Sequence, residues 1–125
     1  MSKLFYEAET YAIQGAIFEV YRTLGCGFLE TVYQKALEVE LSQRNIPFVA
    51  QAEIQISYKG VTLDQSYRAD LICYNNVIVE LKAVQNLLPE HEAQLQNYLR
   101  ATKMRVGLLV NFGHYPNVEI KRIVI

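Results

Sequence analysis

A chain of 125 residues, half of them hydrophobic, is long enough to bury a core and reads as one domain over 1–125. A formal net charge of −1 excludes a general electrostatic pull toward nucleic acid, and no apolar run approaches the ~20 residues of a membrane span, so no membrane partner is expected. The start, Met1 to Glu7, lacks the apolar stretch of a signal peptide, which makes the cytoplasm the expected compartment.

Residues 7 to 24 read as an amphipathic helix, with Ile13, Ala16, Ile17, Val20, Tyr21 and Leu24 at helical spacing. Gly25-Cys26-Gly27 ends it, because glycine accepts the positive backbone angles of a helix terminus. A second helix is expected from about 28 to 44, its apolar stripe running Leu29, Val32, Tyr33, Ala36, Leu37 and Leu41. Cys26 has no histidine beside it in sequence to support a reactive thiol, and Cys73 continues a strand pattern as a small buried hydrophobe.

The period then changes. Ile54, Ile56 and Tyr58 alternate with Glu53, Gln55 and Ser57, as in a half-buried strand, and Lys59-Gly60 turns the chain. A second strand runs through Val61 and Leu63 to Tyr67–Tyr74, and a third covers Val77 to Val84 after the turn at Asn75-Asn76. Pro89 opens a helix to about Thr102, since proline is tolerated in a first turn. Val106 to Asn111 is an unbroken apolar run, as expected of a strand covered on both faces, and Val118 to Ile125 is the last strand. The order α-α-β-β-β-α-β-β predicts an α/β fold with one mixed sheet flanked by helices. Arg100, Lys103, Arg105, Lys121 and Arg122 cluster late and read as solvated surface charge, the competing reading being a local basic patch beside an acidic metal site.

Three charges interrupt this apolar pattern: Asp70 on the second strand, and Glu80 and Lys82 on the third. Glu80 and Lys82 are two residues apart and share a face. Asp70 joins them only in one register. A two-residue turn at Asn75-Asn76 places Asp70 opposite Leu81, whereas a three-residue or bulged connection pairs 73 with 77 and places it opposite Glu80. The second form is expected, since asparagine tolerates the left-handed conformation it requires. Two carboxylates, with a backbone carbonyl or waters, suit Mg2+ or Mn2+, hard cations that prefer oxygen ligands. Such an ion polarises a phosphoryl oxygen and activates water, and Lys82 would orient or help deprotonate that water or stabilise the charge that develops. The competing reading is a cross-strand salt bridge.

Gln94 and Tyr98, four residues apart, share a face of the helix that follows, with His91 one turn earlier. Gln94 is placed to hydrogen-bond a phosphate or a water at the ion, beside Tyr98; the competing reading is a polar helix edge with Tyr98 half-buried. Glu30 opens the second helix, where an acid is favourable for the macrodipole alone.

Gly27-Phe28-Leu29-Glu30-Thr31-Val32-Tyr33 resembles the signature of the GxxExxY protein family. The likeness extends to Phe18–Gly25, Tyr67–Leu71, Ile78–Ala83, His91–Leu95 and Gly107–Phe112, nearly the whole chain in order. It implies the PD-(D/E)XK nuclease superfamily and a restriction-endonuclease-like core. On that resemblance Asp70, Glu80 and Lys82 take the D…ExK positions, Gln94 and Tyr98 the QxxxY motif of RecB-like nucleases, and Glu30 an additional acidic position. Ala69 stands where the superfamily motif has proline. Tyr21 and Cys26 stand where relatives often carry histidine and proline.

The expected function is magnesium-dependent hydrolysis of DNA or RNA phosphodiester bonds: metal ligands Asp70, Glu80 and Glu30, and catalytic residues Lys82, Gln94 and Tyr98. Two other readings stand beside it. One is a nucleic-acid-binding or assembly module without turnover, with a homo-oligomer or protein complex supplying the missing binding surface. The other is a structural protein whose charges form only an ion-pair network.

Overall fold

The computed structural model describes residues 5–125; Met1 to Leu4, part of the start read above for a leader, lie outside the described residues. The chain runs α1 (Glu7–Leu24), α2 (Glu30–Gln43), β1 (Phe48–Tyr58), β2 (Val61–Cys73), β3 (Val77–Lys82), α3 (Pro89–Thr102), β4 (Val106–Asn111) and β5 (Glu119–Val124). This is the expected order, and the architecture is α/β and restriction-endonuclease-like. The sheet order follows the chain, β1-β2-β3-β4-β5. Only β3 and β4 pair in parallel, because α3 carries the chain back between them; the remaining neighbours are antiparallel. No helix among the described residues is long and apolar enough to cross a membrane.

The sheet has a core on each face. On one side Ile13, Ile17 and Val20 of α1 and Tyr33, Leu37 and Leu41 of α2 cover Leu71, Val79, Leu81, Leu108 and Val110. On the other, Leu95, Tyr98 and Leu99 of α3 meet Ile54, Ala69, Ile78 and Leu109. Every residue of β4 is buried, as its unbroken apolar run requires. Each fully buried Leu or Ile stabilises the fold by about 1.5–3 kcal/mol relative to an exposed one.

The helix stripe of α2 differs from the expected one. Leu29 precedes the first turn in an extended conformation, and the buried face is Tyr33, Gln34, Leu37 and Leu41. Leu29 and Val32 are therefore exposed. β1 begins at Phe48, five residues before the alternation at Glu53 suggested, and β3 stops at Lys82 rather than Val84. In the late basic cluster Arg105 bonds the carbonyl of Ile125 and lies over the Phe5 ring, and Lys121 pairs with Glu92.

The β1–β2 hairpin swaps faces partway along. Phe48, Ala50, Leu71 and Cys73 pack toward α1 and α2, whereas Ile54, Ile56 and Ala69 pack toward α3. All the β1 members are even-numbered and all the β2 members odd-numbered, so a flat ribbon would place each set on one face. The crease lies at Gln51, whose φ of 52° is left-handed, opposite Asp70 in the interval between the Ala50–Leu71 and Ala52–Ala69 pairs. Beyond it the hairpin continues as a largely exposed arm.

Candidate metal and phosphodiester site

The β2–β3 hairpin sets the site. Cys73 pairs with Val77, Ile72 with Ile78 and Leu71 with Val79, the register that carries Asp70 opposite Glu80. The loop is the three-residue form, Tyr74 to Asn76. Its left-handed residues are Tyr74 and Asn75, at φ 57° and 58°, so one of the two special positions falls on tyrosine instead of asparagine.

At Asp70 the backbone ladder gives way to carboxylates. Asp70 Oδ2 accepts the Leu81 N–H at 2.7 Å, and Glu80 Oε1 accepts the Asp70 N–H at 3.3 Å. Two acids thus stand between two strands, each held by the backbone of the other strand. Glu80 is only 4% exposed. Burial first, then the adjacent Asp70 charge, pushes its carboxyl up to about 9, while the Asp70 N–H and the Lys82 charge pull the other way.

Lys82 does not neutralise this pair by contact. Its Nζ donates to Gln94 Oε1 at 3.3 Å. The ion pairs among the described residues are Glu19–Arg22, Lys35–Glu38, Glu40–Arg44 and Glu92–Lys121. A cross-strand salt bridge of Lys82 to Asp70 or Glu80 is therefore not formed. The α3 helix brings Gln94 to Lys82 and Tyr98 to the acids, whose charges, after burial, raise the Tyr98 hydroxyl. His91 faces elsewhere: its Nδ1 accepts the Leu88 N–H at 3.0 Å and closes the first turn of α3.

Glu30 stands at the start of α2 near enough to feel the others. Its carboxyl is raised by burial and then by the Asp70 charge, and lowered by Lys82. Among the described residues, however, no three His, Cys, Asp or Glu side chains close into a metal cage. Asp70 and Glu80 are in contact, and Glu30 is an outlying third acid. The donor set fits a hard divalent cation: buried Glu80 and half-buried Asp70 have no side-chain cation in contact, and oxygen ligands are what magnesium and manganese prefer.

Five residues that position the site were not singled out for it in the sequence. Gln34, buried on α2, donates to the Asp70 carbonyl at 3.0 Å. Gln51 reaches Asp70 Oδ1 at 3.5 Å from the crease, while Arg68 Nη1 donates to the Gln51 carbonyl at 3.1 Å. Tyr33 donates to the Gly25 carbonyl at 2.5 Å, accepts the Phe28 N–H at 3.2 Å and stacks on Phe112 with centroids 4.5 Å apart. It thereby closes the loop that delivers Glu30, and Gly27 in that loop has φ 115°, which a side chain rarely adopts. Asn111, fully buried, accepts the N–H groups of Val84 and Gly113, each at 3.0 Å, and fixes the exit of β3 just past Lys82. A polar residue ending an apolar run is the signal available for Asn111; a helix glutamine such as Gln34 carries none.

The model of the PD-(D/E)XK nuclease superfamily matches residues 7–123. The chain belongs to this superfamily. Its fold is similar to the crystal structure of SSO0001, with a TM-score of 0.57 and 23% identity over 95% of this chain. The match covers 60% of that longer chain, and at this identity the likeness is one of fold. No curated protein matches. Membership in a nuclease superfamily gives the protein a nuclease-like fold and associates that fold with divalent metals and nucleic acid.

Proposed function

We propose that the protein is a magnesium- or manganese-dependent nuclease of the GxxExxY group, a single-domain hydrolase of DNA or RNA phosphodiesters. The observation that carries this reading is the contact of Asp70 with the buried Glu80 while Lys82 is held by Gln94 instead of by either acid. Asp70 and Glu80 would hold the ion, and Glu30 would reach it directly or through water. The ion, when bound, supplies Lewis acidity at the phosphoryl group and a lowered pKa for water.

The chain's own residues do the rest. In hydrolysis a water oxygen bonds to phosphorus as the ester P–O bond breaks, and negative charge builds on the phosphoryl oxygens. Lys82 is the cation aimed at that charge. Gln94 accepts from its Nζ and fixes the direction in which it points. Tyr98, on the same helix face, closes the α3 side of the acids and is placed to contact substrate. The hydrogen bonds to Leu81 N–H and Asp70 N–H hold the acids before any ion arrives, so little reorganisation is required on binding.

Cleavage of labelled single- and double-stranded DNA and RNA, with magnesium, manganese or EDTA, tests this reading. Wild type is expected to cleave at least one substrate with a metal and none with EDTA, and Glu80→Ala to cleave none while remaining folded. Undiminished cleavage by purified Glu80→Ala would sink it.

A further inference from the structure

The exposed arm of the β1–β2 hairpin and α3 enclose a groove of about 700 Å³. Tyr67 and Ile56 form its strand wall, and Gln94, Asn97, Tyr98 and Arg100 its helix wall. Of these, Gln94 accepts a hydrogen bond from Lys82 and Tyr98 feels the charges of Glu80 and Asp70, so the groove adjoins the candidate site. Because the hairpin swaps faces at Gln51, Tyr67 is turned toward α3, its ring 5.8 Å from that of Tyr98 at an angle of 43°. Even so, Tyr67 is 49% exposed, which leaves ring surface available in the groove. The Arg100 guanidinium donates to the Asn97 side chain, at 3.2 Å, and is in no ion pair with a carboxylate among the described residues. Glu90 contributes a carboxylate to the lining.

We propose that this groove holds a single strand of nucleic acid, with an unpaired base stacked on Tyr67 and the sugar–phosphate chain led past Arg100 toward Asp70 and Glu80. The proposal rests on the phosphodiester reading of the site and names its substrate class. Charge favours the single strand over the duplex. Duplex binding draws its affinity from many phosphate contacts, and a chain of net charge −1 with one arginine in the groove is poorly equipped to make them. Stacking on an aromatic face needs no net charge, but it needs a base that is out of a helix. The space is that of a small-ligand pocket, too narrow for a double helix.

The test is equilibrium binding by fluorescence anisotropy in EDTA, which removes turnover from the readout. The probes are labelled oligo(dU), oligo(U) and a duplex of equal length. At least one single strand is expected to bind more tightly than the duplex, and the tighter of the two identifies the sugar. Tyr67→Ala should weaken single-strand binding by about 5- to 100-fold, as expected for loss of one base–aromatic stack, and Tyr67→Phe should retain it. Circular dichroism checks the fold of each variant. Should Tyr67→Ala fail to fold, Ala101→Trp fills the groove from an exposed helix position and is expected to abolish binding. Duplex binding as tight as single-strand binding, or a folded Tyr67→Ala or Ala101→Trp that binds normally, would overturn the proposal. Metal-dependent cleavage is read separately. A protein that cleaves duplex without single-strand binding overturns the groove's role and leaves the nuclease reading standing; binding without cleavage does the reverse.

Discussion

Asp70 and Glu80 are bound crosswise: Glu80 Oε1 accepts the backbone N–H of Asp70, and Asp70 Oδ2 accepts that of Leu81, the residue after Glu80. A pair of acids held in this way is rigid, but it is costly in the absence of a cation, because Glu80 is almost wholly removed from water.

That cost has a pH signature in metal-free protein. The Glu80 carboxyl is pushed from its ordinary value of 4.5 up to about 9. Between those values the folded chain keeps a proton that the unfolded chain has released. The stability contributed by this group is therefore fully present below about pH 4.5 and is lost as pH rises through about 9. Urea unfolding in EDTA should show Glu80→Gln gaining on wild type as pH rises across this window, by at most about 1.4 kcal/mol per pH unit. Added manganese should reverse the order, since the ion stabilises only the wild-type pair, and its affinity for wild type should rise with pH over the same range.

Lys82 donates to Gln94, and the proposed function has the two act as a unit. Lys82→Ala is expected to lower the single-turnover cleavage rate by about 10²–10³-fold, the size of effect seen when one charge-stabilising group is removed. Gln94→Ala should cost less, about tenfold, because the lysine remains but is no longer directed. The double variant should be no slower than Lys82→Ala alone; a fully multiplicative loss would mean that Gln94 does not work through Lys82.

Tyr33→Phe keeps the ring that stacks on Phe112 but removes the hydroxyl that bonds Gly25 and Phe28. Chemical denaturation should show a loss of about 1 kcal/mol, the usual net value of a hydrogen bond. Cleavage should fall by more than stability alone explains, since the loop it closes carries Glu30.

Gly113 tolerates no side chain. A Cβ there would lie 2.5 Å from the Val84 carbonyl oxygen and 2.6 Å from its nitrogen, both backbone atoms. Gly113→Ala should therefore destabilise the fold by about 1–3 kcal/mol or more, read as a lowered Tm, because either the β3 exit past Lys82 or the β4 end must move.

Much of this site was legible in the sequence for a definite reason. Strand side chains alternate, so the register of the Cys73–Val77 pair follows from asking which loop length puts Asp70 opposite Glu80, and the hairpin has that length. The helix limits at Glu7, Leu24, Pro89 and Thr102 were legible because apolar spacing, glycine and proline mark them. The hairpin crease was not. Phe48, Ala50, Ile54 and Ile56 alternate without interruption, and only the left-handed conformation of Gln51 reveals that they serve two different cores. Nor was the rotation of the α2 stripe, because Leu29 and Val32 fit the apolar spacing yet lie outside the buried face. Gln34 was hidden for the same cause: its burial against Asp70 depends on that rotation.

The most direct measurement is a crystal structure of the protein soaked in millimolar manganese, with anomalous scattering used to place the ion. An ion coordinated by both Asp70 and Glu80, with Lys82 still directed by Gln94, is the predicted result. Clear density for both carboxylates with no ion between them would contradict the metal site on which the proposed function stands.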